Sequence, residues 1–177
     1  MQLITDNAKF IRDYRKLESV SLNPERHAAP NAYEHCERVV DRIKQLALQN
    51  GCSDDETTIL VNLAYVHDIG KTQGNAKPEE SVALLPKYGH FVDSFVSLVK
   101  YHDVNLPWYI SHSKGQAPSD KAWRKLAGKV DLRLLCLFMI ADRVDCPGGW
   151  QQNKALVWFL GQCRKRNYVT EDLVING

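Results

Sequence analysis

At 177 residues, with 44% apolar and 25% charged side chains, the chain has the length and composition of one soluble domain with a sizeable core, which excludes fibrous and disordered classes. Its formal net charge of +2 neither demands nor excludes nucleic acid, because a local basic surface is compatible with a nearly neutral total. Five cysteines (Cys36, Cys52, Cys136, Cys146 and Cys163) form an odd set without a C-x-x-C pair, which argues against a disulfide framework or a thiolate zinc site and for a reducing, cytoplasmic setting. Residues 1–10 lack a basic region followed by an apolar core, and the apolar run 134–141 is too short to span a bilayer, so neither secretion nor membrane contact is expected.

Apolar periodicity and caps predict helices nearly throughout, with no alternating strand pattern and no internal repeat. The first helix covers about residues 6–19, and Pro24 and Pro30 make residues 23–30 a connector. Asn31 caps a second helix that runs to about Asn50 and stops at Gly51, with His35, Val39, Ile43 and Leu46 on one stripe. Ser53 and Glu56 form a capping box, and the helix they start carries Leu60, Leu63, Ala64 and His67 on one face.

Residues 70–78 are expected as a polar loop, followed by helices over 79–87 and 90–102 separated by Gly89. Residues 103–119, with Pro107, Trp108, Tyr109, His112, Gly115 and Pro118, are expected as a long loop and a lid. Helices over 120–128 and 130–143 follow, the second buried on most sides with Leu135, Phe138 and Asp142 along one line. After Cys146-Pro147-Gly148-Gly149, a helix over about 151–166 closes the domain, and residues 168–177 are expected to be a loosely held tail. The sum is a single all-α domain over 1–177, its core about 31–149, with the helices 6–19 and 151–166 packed on it.

One pattern in this scaffold asks for chemistry. His67 and Asp68 stand side by side where an apolar helical face ends, an arrangement that favours neither helix nor burial unless the two share a cation. His35 and Asp142 lie on two other core stripes, giving two imidazoles and two carboxylates, a mixed donor set that suits Mn, Co, Ni, Fe, Mg or Zn. The order His35, His67-Asp68, Asp142 over three helical segments resembles the HD-domain metal-dependent phosphohydrolase superfamily. The residues 78–83, Tyr101-His102-Asp103 and Ala141-Asp142-Arg143 look most like the HD domains attached to tRNA nucleotidyltransferases and poly(A) polymerases, here without the nucleotidyltransferase domain.

The resemblance implies an all-helical bundle and hydrolysis of a phosphate ester of a nucleotide or an RNA end, as monoester or diester. The metal is expected on His35, His67, Asp68 and Asp142, with Asp68 also holding the attacking water. Lys71, one turn beyond Asp68, is expected on the phosphate, and His102 on the phosphate or as the acid for the leaving oxygen. Arg143 is a further phosphate contact or an orienter of Asp142, and Trp108 and Tyr109 are candidates to stack on a base. Relatives often carry a histidine where this chain has Pro78, so one metal ion is expected and His90 is the substitute ligand for a second. Lys121, Arg124, Lys125, Lys129 and the run Arg164-Lys165-Arg166 form a candidate RNA-facing patch. The competing reading is a nucleotide- or RNA-binding module with a structural or degenerate metal site.

Overall fold

A computed structural model describes residues 1–169 and 173. Nine α-helices carry the fold among the described residues, and the one extended pairing is an isolated bridge between Ser21 and Asn31. The helices are α1 Ala8–Tyr14, α2 Ala32–Gln49, α3 Asp54–Val66, α4 Pro78–Leu84, α5 Asp93–Tyr101, α6 Asn105–Ser113, α7 Asp120–Ala127, α8 Leu132–Ala141 and α9 Lys154–Lys165.

Side-chain chemistry sets the helix boundaries. The Asn31 side chain accepts from the Glu34 amide at the start of α2, and Ser53 and Glu56 close a reciprocal capping box on α3. At α8 the Asp131 carboxylate accepts from the amides of Arg133 and Leu134. Helix α8 is the axis of the molecule: every residue from Leu134 to Ala141 is buried, which is what a helix apolar on all sides requires. Helices α2, α3 and α9 pack on it, and α5 joins α3 and α4.

Both terminal regions dock on this centre. Phe10 and Tyr14 of α1 pack against Tyr65 and Tyr88. The buried Asp13 carboxylate accepts from Lys16, Lys87 and Tyr88, tying α1 to the segment after α4. The first predicted helix is therefore two pieces, α1 and a 3-10 turn Arg15–Ser19. Of the expected tail, residues 170–172 and 174–177 lie outside the described residues, while Val169 is buried in the core.

The largest departure from the sequence reading is at 103–119. The expected lid loop is mostly α6, whose third residue is Pro107, a position where the amide has no helical partner to lose. Its Trp108 ring packs edge-on against Trp123 at 4.7 Å between centroids and near Phe159 at 6.3 Å, so the segment is anchored on α7 and α9 and carries no lid.

Candidate metal centre

Four helix ends meet at one point. His35 sits in the second turn of α2, His67 caps the C-terminus of α3 with Asp68 next to it, His102 caps α5, and Asp142 caps α8. Three of these ends are C-termini, where the helix dipole places partial negative charge that favours a cation. Ser81 locks the turn after α3: its hydroxyl donates to the His67 carbonyl at 2.6 Å and accepts from the Gly70 amide at 2.9 Å. The turn comes so close to α4 that a Cβ on Gly70 would stand 2.6 Å from the Ser81 nitrogen, so only glycine fits.

The four side chains expected as ligands converge here. His35 Nε2 lies 3.1 Å and His67 Nε2 3.2 Å from Asp142 Oδ1, while Asp68 Oδ2 is 3.4 Å from His67 Nε2 and 4.0 Å from His35 Nε2. All four residues are buried. The outer ring nitrogens are already committed: His67 Nδ1–H donates to the Ala64 carbonyl at 2.9 Å, and His35 Nδ1–H to Asp145 Oδ1 at 3.1 Å. That leaves Nε2 of both rings directed at carboxylate oxygens.

Protonation shows what this arrangement demands. Burial disfavours a charged His67, yet the Asp68 charge and the Asp142 hydrogen bond override it and raise its pKa to about 10. His35 is likewise raised against burial by Asp142 and Asp145. Asp68 is held far below the usual carboxylate range, burial notwithstanding, by His67, Lys71 and His35, and Asp142 by Arg143 and the two imidazoles. The carboxylates thus call for positive charge between them and the Nε2 atoms. His67 Nε2 is buried and, among the described residues, has no well-directed hydrogen-bond partner. A divalent cation fits this donor set of imidazole nitrogens and carboxylate oxygens.

Cys36, His67 and Asp68 form an adjoining buried group. Burial, with the Asp68 charge next, pushes the Cys36 thiol well up, so in the absence of a cation it stays protonated.

Around the four, Lys71 Nζ donates to Asp68 Oδ2, and the Asp68 charge keeps its ammonium form favoured although burial opposes it. Arg143 forks between Asp142 Oδ2 and Asp103 Oδ1, while its Nε has no partner among the described residues. His102 Nδ1–H donates to the Val99 carbonyl at 2.7 Å, and burial together with the His67 charge lowers its pKa. In the cation-free site this favours the neutral ring, with Nε2 as a hydrogen-bond acceptor.

A cavity of about 750 Å³ opens over these groups, lined among others by Arg26, His27, Lys71, His102, Asn105 and Arg143. The Asn105 amide, 1% exposed, has no partner on either its nitrogen or its oxygen among the described residues. Trp108 and Tyr109 do not line this cavity, because the aromatic cluster with Trp123, Trp158 and Phe159 takes their rings. His90 lines a different recess, beside Met1, Asn7 and Asp55, and Pro78 is the first residue of α4, so neither adds a ligand. Lys121, Arg124, Lys125 and Lys129 are exposed on and after α7, away from the cavity lining, and Arg166 is engaged by Asp120.

Asp145 and His27 escaped the sequence reading. The signal for Asp145 was its place three residues after Asp142 at a helix end, one turn from a ligand position; nothing local marks His27.

A family model described as HD domain matches residues 32–146. No curated protein and no solved structure gives a match. No helix among the described residues is long and apolar enough to cross a membrane.

Proposed function

Because the chain belongs to the HD-domain family, whose members are generally metal-dependent hydrolases, we propose that it is a divalent-metal-dependent phosphohydrolase for a nucleotide-sized phosphate ester. The observation that carries this reading is the buried meeting of His35, His67, Asp68 and Asp142 beneath an open cavity. These four residues hold the cation, one per chain, since neither His90 nor Pro78 supplies a further donor. When bound, the cation supplies Lewis-acid polarisation of a phosphoryl oxygen and lowers the pKa of water.

The chain's own groups do the rest. Lys71 is close enough to Asp68 to place its ammonium beside a phosphoryl oxygen, where it offsets developing negative charge. His102, neutral and with Nε2 bare, accepts a proton from the attacking water. Arg143 holds Asp142 in place from the side of Asp103. Asn105 offers both a donor and an acceptor to the part of the substrate that is not phosphate, and pairing there relieves a buried unsatisfied amide. A cavity of about 750 Å³ suits a nucleotide better than a polymer, which favours a small substrate over an internal RNA site.

The test is a screen of metal-stripped protein reloaded singly with Mn, Co, Ni, Fe, Mg or Zn against nucleoside monophosphates, cyclic nucleotides and short RNA with a terminal phosphate. Metal-dependent release of phosphate or ring opening, lost in Asp68→Ala, is the expected result. Metal uptake without turnover of any substrate would leave a nucleotide-binding module instead.

A further inference from the structure

Asp145 is placed to govern the metal centre without belonging to it. Its carboxylate is buried, with only 1% of the side chain exposed, and among the described residues it has no ion pair with Lys or Arg. Oδ1 accepts from His35 Nδ1 at 3.1 Å and from His27 Nδ1 at 3.3 Å, and Oδ2 accepts from the Ala29 amide at 3.2 Å. The Asp145 carbonyl accepts from the Ala28 amide at 2.8 Å, and the His27 ring packs edge-on against His35 at 4.9 Å. One residue therefore touches a ligand histidine and three consecutive residues of the segment that walls the cavity.

We propose that Asp145 is a positioning residue: it fixes His35 in the tautomer and orientation that turn Nε2 toward Asp142, and it clamps residues 27–29 over the same site. The inference rests on the metal-centre reading above. Its logic is geometric. An imidazole has two nitrogens, and a carboxylate that holds Nδ1–H leaves Nε2 as the sole lone pair, aimed by a second hydrogen-bonded atom on the far side of the ring. Without that partner, His35 is free to place its proton on Nε2 or to rotate, and each alternative removes a ligand. An asparagine is a poor replacement: it carries no negative charge to hold the two imidazole protons, and with its oxygen in the place of Oδ1 its NH2 group faces the Ala29 amide, which also donates.

A role confined to loop anchoring is the competing account, and affinity for metal separates the two. Titration of metal-free protein with Co²⁺ alone, followed by calorimetry and by the visible absorption of the bound ion, is expected to show affinity about 10–100-fold weaker in Asp145→Asn. His27→Phe removes the wall contact but not the His35 bond, so its affinity is expected to stay near that of the wild type even where its melting temperature falls. Equal affinities for wild type and Asp145→Asn would overturn the proposal while leaving the metal centre intact. Absence of Co²⁺ uptake by the wild type would sink both. Should Asp145→Asn not fold, the ¹⁵N resonances of the wild-type histidines, recorded with Zn²⁺ alone, decide: His35 protonated on Nδ1 supports the role, and protonated on Nε2 ends it.

Discussion

Lys71 and His102 line the cavity and, on the proposed reading, do not hold the cation, so their loss would divide chemistry from binding. Lys71→Ala is expected to keep metal uptake, since Asp68 loses only a competing countercharge, and to lower turnover about tenfold to a thousandfold, as removing one preorganised donor commonly does. Calorimetric metal titration and steady-state rates on the same preparation check both halves. His102→Ala is expected to slow esters with good and poor leaving groups alike, because on the proposed reading Nε2 takes the proton of the attacking water, a step every ester shares. A loss confined to poor leaving groups, measured as the ratio of nitrophenyl phosphate to nucleotide rates, would return His102 to the role of acid. At this scale the sequence announced the four convergent side chains, because each ends an apolar stripe. It did not give the tautomers, the Asp103 arm of the Arg143 fork or the bond from His35 to Asp145, since these depend on partners 40 to 110 residues apart.

Gly70 shows how an element boundary supports the site. Gly70→Ala drives a Cβ into the backbone of α4 at Ser81 and is expected to destabilise by about 1–3 kcal/mol and to weaken metal uptake, since His67 and Asp68 lie on the displaced turn. Gly74→Ala meets open space and costs only the strain of a φ of +79°, about 1 kcal/mol, with uptake unchanged. Denaturation curves and metal titrations of the two variants give the contrast. The anchor of α1 yields a pH signature. Burial opposes its charge, but hydrogen bonds from Lys16, Lys87 and Tyr88 hold the Asp13 carboxyl near a pKa of about 2, below the ordinary 3.8. A depressed carboxyl contributes stability above its unfolded value, and that contribution is lost as pH falls from 3.8 through about 2. Asp13→Asn is expected to be less stable than wild type at neutral pH, with the gap narrowing across that acid window in melting experiments. Elements with strong caps, α2 and α3, were legible almost to the residue. The segment 103–119 was not: Pro107 and a run of polar residues imitate a loop, and only the packing of Trp108 on Trp123 and Phe159 pays for the helix.

At the scale of the molecule, the ligand set proposed here, drawn from α2 and the C-terminal ends of α3 and α8, would make metal binding and folding one equilibrium. A cation at a hundredfold its dissociation constant adds about 2.7 kcal/mol of stability, and for a chain of 177 residues this raises the melting temperature by several degrees. Asp142→Ala is expected to lose that increment, which differential scanning calorimetry with and without Mn²⁺ measures directly. The all-helical bundle was readable from periodicity, because one buried helix and several amphipathic ones admit few other packings. The cavity was not readable, since much of its wall comes from segments at residues 20–27, 74–76 and 145–147 that only the assembled fold brings together.

The meeting of three helix C-termini over two carboxylates also dictates an order of events. Before the cation arrives, a phosphate entering the cavity faces carbonyl ends and two acidic side chains, and Lys71 is already occupied by Asp68. On the proposed reading the cation neutralises the two carboxylates and releases Lys71 from Asp68, so binding is expected to run cation first and substrate second. In initial-rate experiments this sequence has a recognisable form: raising the metal concentration lowers the apparent KM for the substrate, and a phosphate product competes with the substrate only in the presence of metal.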